Sequence, residues 1–410
     1  MKPITLVVLA ITLTGLRCRD LGEESDIRVV RPLTLLEKQV AEASNGFGLH
    51  LLSTINAGEA GNNVFIAPLS VSMALGMTLN GARGSTAEAL AATLGYAGMS
   101  TGEINRTYSS LISYLHDLDP TVSFAIANSI WHRQNLDVLP DFVAANQRYF
   151  GATVRGLDFS QPTAAHIINQ WVDQSTRGRI PTIVEDPIPS DIVMYIINAI
   201  YFKGTWRYRF DADLTADAPF HLPDGTTQSA RLMQVEATLR YARTASYQAV
   251  ELPYGDAGFC MIVVLPAEGQ TIESFVSALT VNAWNDIRQD LHDENGVVML
   301  PKFSFDWHAS LKPSLSAMGM GIAFGEGADF RGIRSAGDLK ITDVVHSSFV
   351  RVDEEGTEAA AVTAVIIGVT SVPDPGFVMR VDRPFFFAIA DRSSGALVFA
   401  GKIVHPEWPG

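Results

Sequence analysis

Cysteine is nearly absent from this sequence, which has only Cys18 and Cys260 in 410 residues. Cys18 follows an apolar N-terminal run, and loss or modification of that run leaves Cys260 as the one remaining thiol. Cys260 lies in the apolar stretch 259–265, so we expect it to be buried and inert. A disulfide framework is therefore excluded. With 47% hydrophobic residues, the chain can instead bury a large core, in one domain or two.

Basic residues are also scarce. The chain has 30 Lys and Arg residues against 44 Asp and Glu residues, which gives a formal net charge of −14. Nucleic acids and anionic membranes are bound through concentrated Lys and Arg, and no basic stripe occurs along the chain. The composition therefore argues against both kinds of partner.

The common catalytic and metal-binding motifs are missing as well. The sequence has no Gly-x-Ser-x-Gly elbow, no His-Glu-x-x-His zinc motif, no Ser-x-x-Lys pair and no phosphate-binding P-loop. Its 9 histidines are scattered, and none pairs with another at the spacing of helical metal ligands. The sequence predicts no enzyme, no metal site and no cofactor.

The N-terminus has the features of a secretory signal. The chain begins with Met-Lys and continues into the apolar run 4–16, which is too short for a transmembrane helix. We expect residues 1–18 to be a signal peptide and the charge-rich residues 19–34 to be a linker, which predicts a secreted, extracellular or periplasmic protein. Cys18 also allows a lipoprotein signal, but Arg17 before it is a poor residue for lipid-dependent processing, so anchoring is not favoured.

A stretch near the C-terminus, Glu354–Ser371, combines features of a strand and of a loop. Gly356 gives an adaptable backbone, and small residues follow it on one face, so that this face fits between two strands. These small residues are Thr357, Ala359, Ala361 and Thr363. Residues 365–370 are apolar and mostly β-branched, whereas 373–376 is typical of a turn. By periodicity alone, the stretch is equally well an ordinary sheet strand that begins after an acidic turn.

The motif Glu-Glu-Gly-Thr-Glu-Ala-Ala-Ala at 354–361, followed by Asp-Arg-Pro-Phe at 382–385, resembles the hinge and C-terminal signature of the serpin family. Further blocks, such as 63–75, are similar to serpin blocks, and the resemblance covers about residues 35–406. It implies an α+β fold in a single domain, residues 35–410, with several helices around a large mixed main sheet and two smaller sheets. A reactive-centre loop at about 354–376 would be exposed.

The resemblance also implies roles for individual residues. The hinge of the loop would consist of Glu354, Glu355, Gly356, Thr357, Glu358, Ala359, Ala360, Ala361, Val362 and Thr363. The region where the main sheet opens would contain Ser70, Asn198, His346 and Trp206. In it, His346 would hydrogen-bond Asn198, and Trp206 would lie where the loop first enters the sheet. Without the family, a histidine or tryptophan in an apolar strand is more simply interpreted as a core residue.

A covalent-trapping mechanism is implied by the same likeness. A serine protease would cleave after Thr370, at the bond to Ser371, or alternatively one residue earlier, after Val369. Thr370 suits a protease pocket for small or β-branched side chains, which favours elastase-like and subtilisin-like targets. The partner would be this protease, held by a monomer as an acyl complex. No glycosaminoglycan activation is expected, because 99–119 is acidic. The alternative is a non-inhibitory serpin that acts as a carrier or a chaperone-like protein.

Overall fold

The computed structural model describes residues 31–357 and 376–409. Its helices are α1 (Leu35–Asn56), α2 (Pro68–Leu79), α3 (Gly84–Thr93), α4 (Thr101–His116), α5 (Pro140–Phe150), α6 (Pro162–Ser175), α7 (Ile272–Ala278), α8 (Val281–Asp290) and α9 (Lys312–Leu315), followed by a π-helical turn (Ser316–Met320) and a 3₁₀ turn (Gly321–Phe324). Its strands are β1 (Val64–Ile66), β2 (Ser123–Arg133), β3 (Thr153–Leu157), β4 (Met194–Thr205), β5 (Asp211–His221), β6 (Thr227–Arg243), β7 (Tyr247–Pro253), β8 (Phe259–Pro266), β9 (His292–Pro301), β10 (Phe303–Ser310), β11 (Val345–Val352), β12 (Gly356–Thr357), β13 (Phe377–Arg380), β14 (Phe385–Asp391) and β15 (Leu397–Ile403).

The described strands form two sheets. The main sheet has the order β10-β11-β12-β4-β2-β3 and is mixed, because β2 and β3 run parallel whereas the other pairs are antiparallel. The second sheet has the order β1-β15-β14-β8-β7-β6-β9-β13, with β5 added on β6. The two smaller sheets that we expected are continuous here, since the long strand β6 pairs with β5, β7 and β9. The predicted α+β architecture is confirmed.

The deepest part of the core lies around the C-terminal strands. Every residue of β14 and β15 is buried, as the apolar runs in the sequence predict. Phe65 of β1 lies beside both strands, with its ring centroid 5.4 Å from that of Phe387 and 5.1 Å from that of Phe399. Helices α1 and α2 pack against β15. The residues that follow the expected loop therefore form a rigid base for the fold.

Helix α1 begins at a capping box. Thr34 accepts a hydrogen bond from the backbone N–H of Glu37, and the Glu37 carboxylate accepts one from the backbone N–H of Thr34. The helix runs through Gly46 and Gly48 without interruption. Gly48 lies against α2, where an added Cβ atom would be 2.3 Å from the Cβ atom of Pro68. The small size of residue 48 therefore lets the two helices approach closely.

Helix α6 lies against the main sheet, with Ala164, Ile168 and Val172 buried in a cluster that includes Trp131 of β2. The indole of Trp171 packs edge-on against that of Trp131, at 6.1 Å between centroids. These residues lie on the face that the sequence pattern predicts to be apolar.

The structure also bears on the predicted domain boundary and on the predicted burial of Cys260. Contacts group Leu33–Gly410 as one compact unit, whereas the predicted boundary after residue 18 lies outside the described residues. Cys260 is buried, and burial raises the pKa of its thiol well above the ordinary value. Among residues 31–357 and 376–409, no helix has the length and apolar character needed to cross a membrane.

The two glycines of α1 give a matched pair for testing the contact between α1 and α2. Gly48→Ala should destabilise the fold by about 1–3 kcal/mol, because its Cβ overlaps Pro68. Gly46→Ala has open space, with no atom within 4 Å, and should stabilise the fold by up to about 1 kcal/mol through helix propensity. Unfolding midpoints in urea would measure both. Equal effects of the two substitutions would contradict the close contact.

Candidate functional site

The short strand β12 lies between β4 and β11 at one end of the main sheet. Its residues Gly356 and Thr357 pair with Thr205 and Gly204 of β4, and Thr357 also pairs with Val352 of β11. In the described part of the chain, β4 and β11 are joined through β12 rather than directly. We call the space between β4 and β11 beyond β12 the seam.

The fit of β12 requires small residues. An added Cβ atom on Gly356 would lie 2.0 Å from the carbonyl oxygen of Gly204, so that any side chain at this position would force the strands apart. Thr357 is buried, and its hydroxyl is hydrogen-bonded to that of Tyr254. The Tyr254 ring in turn stacks on Trp206, with 4.4 Å between centroids. The predicted hinge residues 356 and 357 are therefore seated inside the sheet.

Trp206 holds the turn that precedes β12. Its indole N–H donates a hydrogen bond to the carbonyl oxygen of Asp353 at 2.9 Å, and its backbone N–H donates one to that of Glu355 at 2.8 Å. The backbone N–H of Phe210 donates to the carbonyl oxygen of Glu354 at 3.1 Å. Trp206 thus lies where the chain passes from β11 into β12.

Glu354 forms an ion pair that the sequence analysis did not identify. Its carboxylate accepts hydrogen bonds from the Lys302 ammonium at 2.7 Å and from the Thr215 hydroxyl at 2.8 Å. Burial raises the pKa of Glu354, but these hydrogen bonds and the Lys302 charge outweigh it, so the net pKa lies below its ordinary value. Lys302 carries no sequence signal beyond its position between two apolar strands, so its partner could not be recognised from the sequence.

A cavity of about 390 Å³ lies in the seam. It is lined by α2, β4, β11 and the segments 180–193 and 339–344. Three of the predicted site residues, Ser70, Asn198 and His346, line it together. The fourth, Trp206, is not among its lining residues and lies at the β12 end of the sheet.

Asn198 is the central polar residue of β4 in the seam. Its side-chain N–H donates a hydrogen bond to the Asn128 amide oxygen at 2.6 Å, and its backbone oxygen accepts one from the Ser70 hydroxyl at 3.3 Å. The Asn198 side-chain oxygen is buried and has no hydrogen-bond partner among the described residues. A buried amide oxygen without a partner is costly, which makes this atom a place where a further donor would be stabilising.

The hydrogen bond that we expected between His346 and Asn198 is not formed among the residues that the structure describes. His346 instead uses Nε2 to accept a hydrogen bond from the backbone N–H of Ala67 at 3.1 Å. Because β12 separates β4 from β11 by one strand, the two side chains find partners on their own sides of the seam. Burial, with a smaller contribution from His308, lowers the pKa of His346 to about 4, so it is neutral at pH 7.

Several predicted residues lie outside the described residues. These are Glu358, Ala359, Ala360, Ala361, Val362 and Thr363 of the hinge and the reactive bond between Thr370 and Ser371. Their roles stay predictions.

Comparison with known proteins decides the family. Residues 42–406 match the family model described as Serpin (serine protease inhibitor). The chain belongs to the serpin family. Serpins are inhibitors rather than catalysts, which agrees with the catalytic motifs missing from the sequence.

Individual serpins are similar over almost the whole chain. Iripin-8 of Ixodes ricinus is 33% identical over 375 residues, which cover 89% of this chain and 93% of the tick protein. The leukocyte elastase inhibitor of Sus scrofa is 31% identical over 383 residues, covering 90% of this chain and 100% of the pig protein. The crystal structure of human thyroxine-binding globulin with thyroxine has a TM-score of 0.82 and 26% identity, covering 91% of this serpin and 100% of the globulin.

The neutral state of His346 predicts a pH dependence of stability. Because the folded pKa lies below the ordinary 6.5, the stabilisation is complete above pH 6.5 and is lost as the pH falls towards 4. The difference between 6.5 and about 4 corresponds to a loss of about 3 kcal/mol in the free energy of unfolding.

His346→Gln keeps a hydrogen-bond acceptor for Ala67 but does not titrate, so this part of the acid destabilisation should disappear. The exposed His116 provides the control, and His116→Gln should keep the wild-type profile. Unfolding midpoints between pH 7 and pH 4 would measure the effect. A wild-type profile in the His346 variant would contradict a neutral, buried His346.

Proposed function

We propose that this serpin inhibits serine endopeptidases by covalent trapping, through cleavage after Thr370 and insertion of the freed segment into the seam. The observation that supports this most is the position of β12. Gly356 and Thr357 are already paired on both sides, between β4 and β11, and a cavity lies in the seam beyond them. Insertion would extend the pairing of β12 with β4 and β11 along the seam.

The pairing of β12 predicts where each inserted residue would lie. Gly356 opposite Thr205 and Thr357 opposite Gly204 fix the register against β4, and Thr357 opposite Val352 fixes it against β11. When both registers are continued, the same residue, Thr363, falls opposite Asn198 and opposite His346. Its hydroxyl would be a donor for the unpaired amide oxygen of Asn198.

Side-chain size supports insertion as well. Side chains alternate between the two faces of a strand, so an inserted segment would place Ala359, Ala361 and Thr363 on the same face as Thr357, and all are small. The 15 residues from Gly356 to Thr370 would extend over about 50 Å at about 3.3 Å per residue. Insertion would therefore carry an attached protease from one end of the sheet to the other.

The chemistry belongs to the protease. Its active-site serine attacks the carbonyl carbon of Thr370, and the amine of Ser371 leaves with a proton from the protease histidine, which gives an ester between the protease and Thr370. Insertion competes with hydrolysis of this ester by water. The inserted segment would form β-sheet hydrogen bonds with β4 and β11, and this would provide the free energy for distorting the attached protease.

Elastase-like and subtilisin-like proteases are the proposed targets. Thr370 suits a small primary pocket, and Val369 and Ile367 add apolar contacts before the reactive bond. The likeness to a leukocyte elastase inhibitor supports the same class. We also propose that the protein is exported without a lipid anchor and acts as a monomer.

A carrier function is the second candidate, because a thyroxine-binding serpin has nearly the same fold. Incubation with elastase or subtilisin, followed by denaturing electrophoresis, separates the two. A band at the combined mass supports trapping, whereas cleavage without that band supports the carrier. A peptide map of the cleaved product identifies the reactive bond, and cleavage far from residue 370 would contradict our assignment.

Thr357→Arg should convert trapping into simple cleavage. An arginine at this buried position would bring a charge and a long side chain into the space beside Tyr254, so insertion should slow and the number of inhibitors consumed per trapped protease should rise at least about tenfold. Thr153→Arg places the same substitution at an exposed position of β3 in the same sheet and should leave trapping unchanged. Normal stoichiometry in the Thr357 variant would contradict the proposed hinge.

Thr363→Val tests the continued register. This substitution keeps the shape but removes the hydroxyl that would bond Asn198, so insertion should lose about 1 kcal/mol, or about fivefold in rate. Thr363→Ser keeps the hydroxyl and should insert at nearly the wild-type rate. The gain of heat resistance with time after cleavage would measure the rate. Equal rates for valine and serine would place another residue opposite Asn198.

A further inference from the structure

The C-terminal tail is attached to the main sheet beside the hinge. The backbone N–H of Ser304 in β10 donates a hydrogen bond to the carbonyl oxygen of Glu407 at 2.8 Å. The next residue, Trp408, places its ring 4.2 Å from the Lys302 ammonium and 4.5 Å from the central carbon of the Arg351 guanidinium, measured to the ring centroid. Two cations therefore share one aromatic ring.

Each of these cations also contacts the turn that precedes β12. Lys302 forms its ion pair with Glu354 at 2.7 Å, and Arg351 lies 3.6 Å from the Asp353 carboxylate. The other oxygen of Asp353 accepts a hydrogen bond from the backbone N–H of Glu355 at 3.1 Å. Trp408 is thus one contact away from both acidic side chains that shape the turn.

The position of these cations matters because they hold the turn from which β12 begins. The register of a strand that enters between two others depends on how firmly the turn before it is held. The partly exposed pair of Arg351 and Asp353 contributes little alone, since exposed pairs of long side chains are mobile. An aromatic ring in contact with Arg351 and Lys302 attracts both charges and limits their freedom.

We propose that Trp408 is a positioning residue for loop insertion. Through Lys302 and Arg351 it keeps the turn 353–355, and with it β12, in the register from which the rest of the segment continues into the seam. The inference rests on the proposed function where it concerns trapping, but the insertion that it controls is measurable without a trapped protease.

Three variants test this role. Trp408→Ala removes the ring, Trp408→Phe keeps an aromatic face, and Glu407→Ala changes an exposed side chain on the same tail while it keeps the backbone contact to Ser304. For each, one would measure the rate of loop cleavage by subtilisin, the fraction of protease trapped, and the rate at which the cleaved serpin gains heat resistance.

We expect Trp408→Ala to insert roughly three- to tenfold more slowly, with a correspondingly smaller trapped fraction. Its rate of loop cleavage should be unchanged, because Trp408 is proposed to act on insertion, which follows cleavage. Trp408→Phe should recover most of the insertion rate, and Glu407→Ala should match the wild type.

The outcomes separate this proposal from the proposed function. If the wild type traps no protease but its cleaved form still gains heat resistance, and Trp408→Ala slows that gain, inhibition fails and the role of Trp408 stands. If Trp408→Ala inserts at the wild-type rate, or if phenylalanine gives no recovery, the role of Trp408 is wrong. A cleaved wild type that gains no heat resistance overturns both.

Discussion

The structure depends on the two-sided pairing of β12. Gly356 and Thr357 keep β4 and β11 apart by one strand, and this requires a glycine against the Gly204 carbonyl and a small residue beside Tyr254. The stacked rings of Trp206 and Tyr254 contact β12 and the turn before it, and the ion pair between Lys302 and Glu354 holds the same turn. Because β12 already separates β4 from β11 at one end of the sheet, these two strands need not be parted there for the proposed insertion to begin.

The seam beyond β12 is stabilised less completely than the rest of the core. The second sheet has fully buried strands and stacked phenylalanines. The seam combines a cavity, a neutral histidine and an Asn198 amide oxygen that has no partner in the described part of the chain. Polar groups of this kind oppose collapse into a sealed apolar core, and the proposed insertion of an additional strand would require a seam that has not collapsed. A weakly packed seam beside well-packed strands favours the proposed insertion, because an added strand would gain hydrogen bonds without disturbing the rest of the core.

The sequence predicted the elements of this site better than their partners. The strands β2 and β4 and the helix α6 lie on apolar or amphipathic stretches of the sequence, because burial on one or both faces leaves such a pattern. Lys302 was missed because its ion pair joins positions 52 residues apart, and no local pattern records such a pair. The expected contact between His346 and Asn198 was wrong for a related reason, since it depends on how far the strands are separated and not on which residues they carry.

The two described ends flanking residues 358–375 belong to different sheets, and this would make cleavage necessary for the proposed insertion. Thr357 is held in the main sheet, whereas Phe377 begins β13, which pairs with β9 in the second sheet. The Phe377 ring stacks on that of Tyr241, with 3.9 Å between centroids. An intact chain has to connect both anchors, so full insertion would pull β13 away from β9. Cutting near residue 370 would remove that connection and leave β13 in place. Under the proposed mechanism, the anchoring of β13 would therefore couple insertion to proteolysis, because it would make insertion of the uncut chain costly.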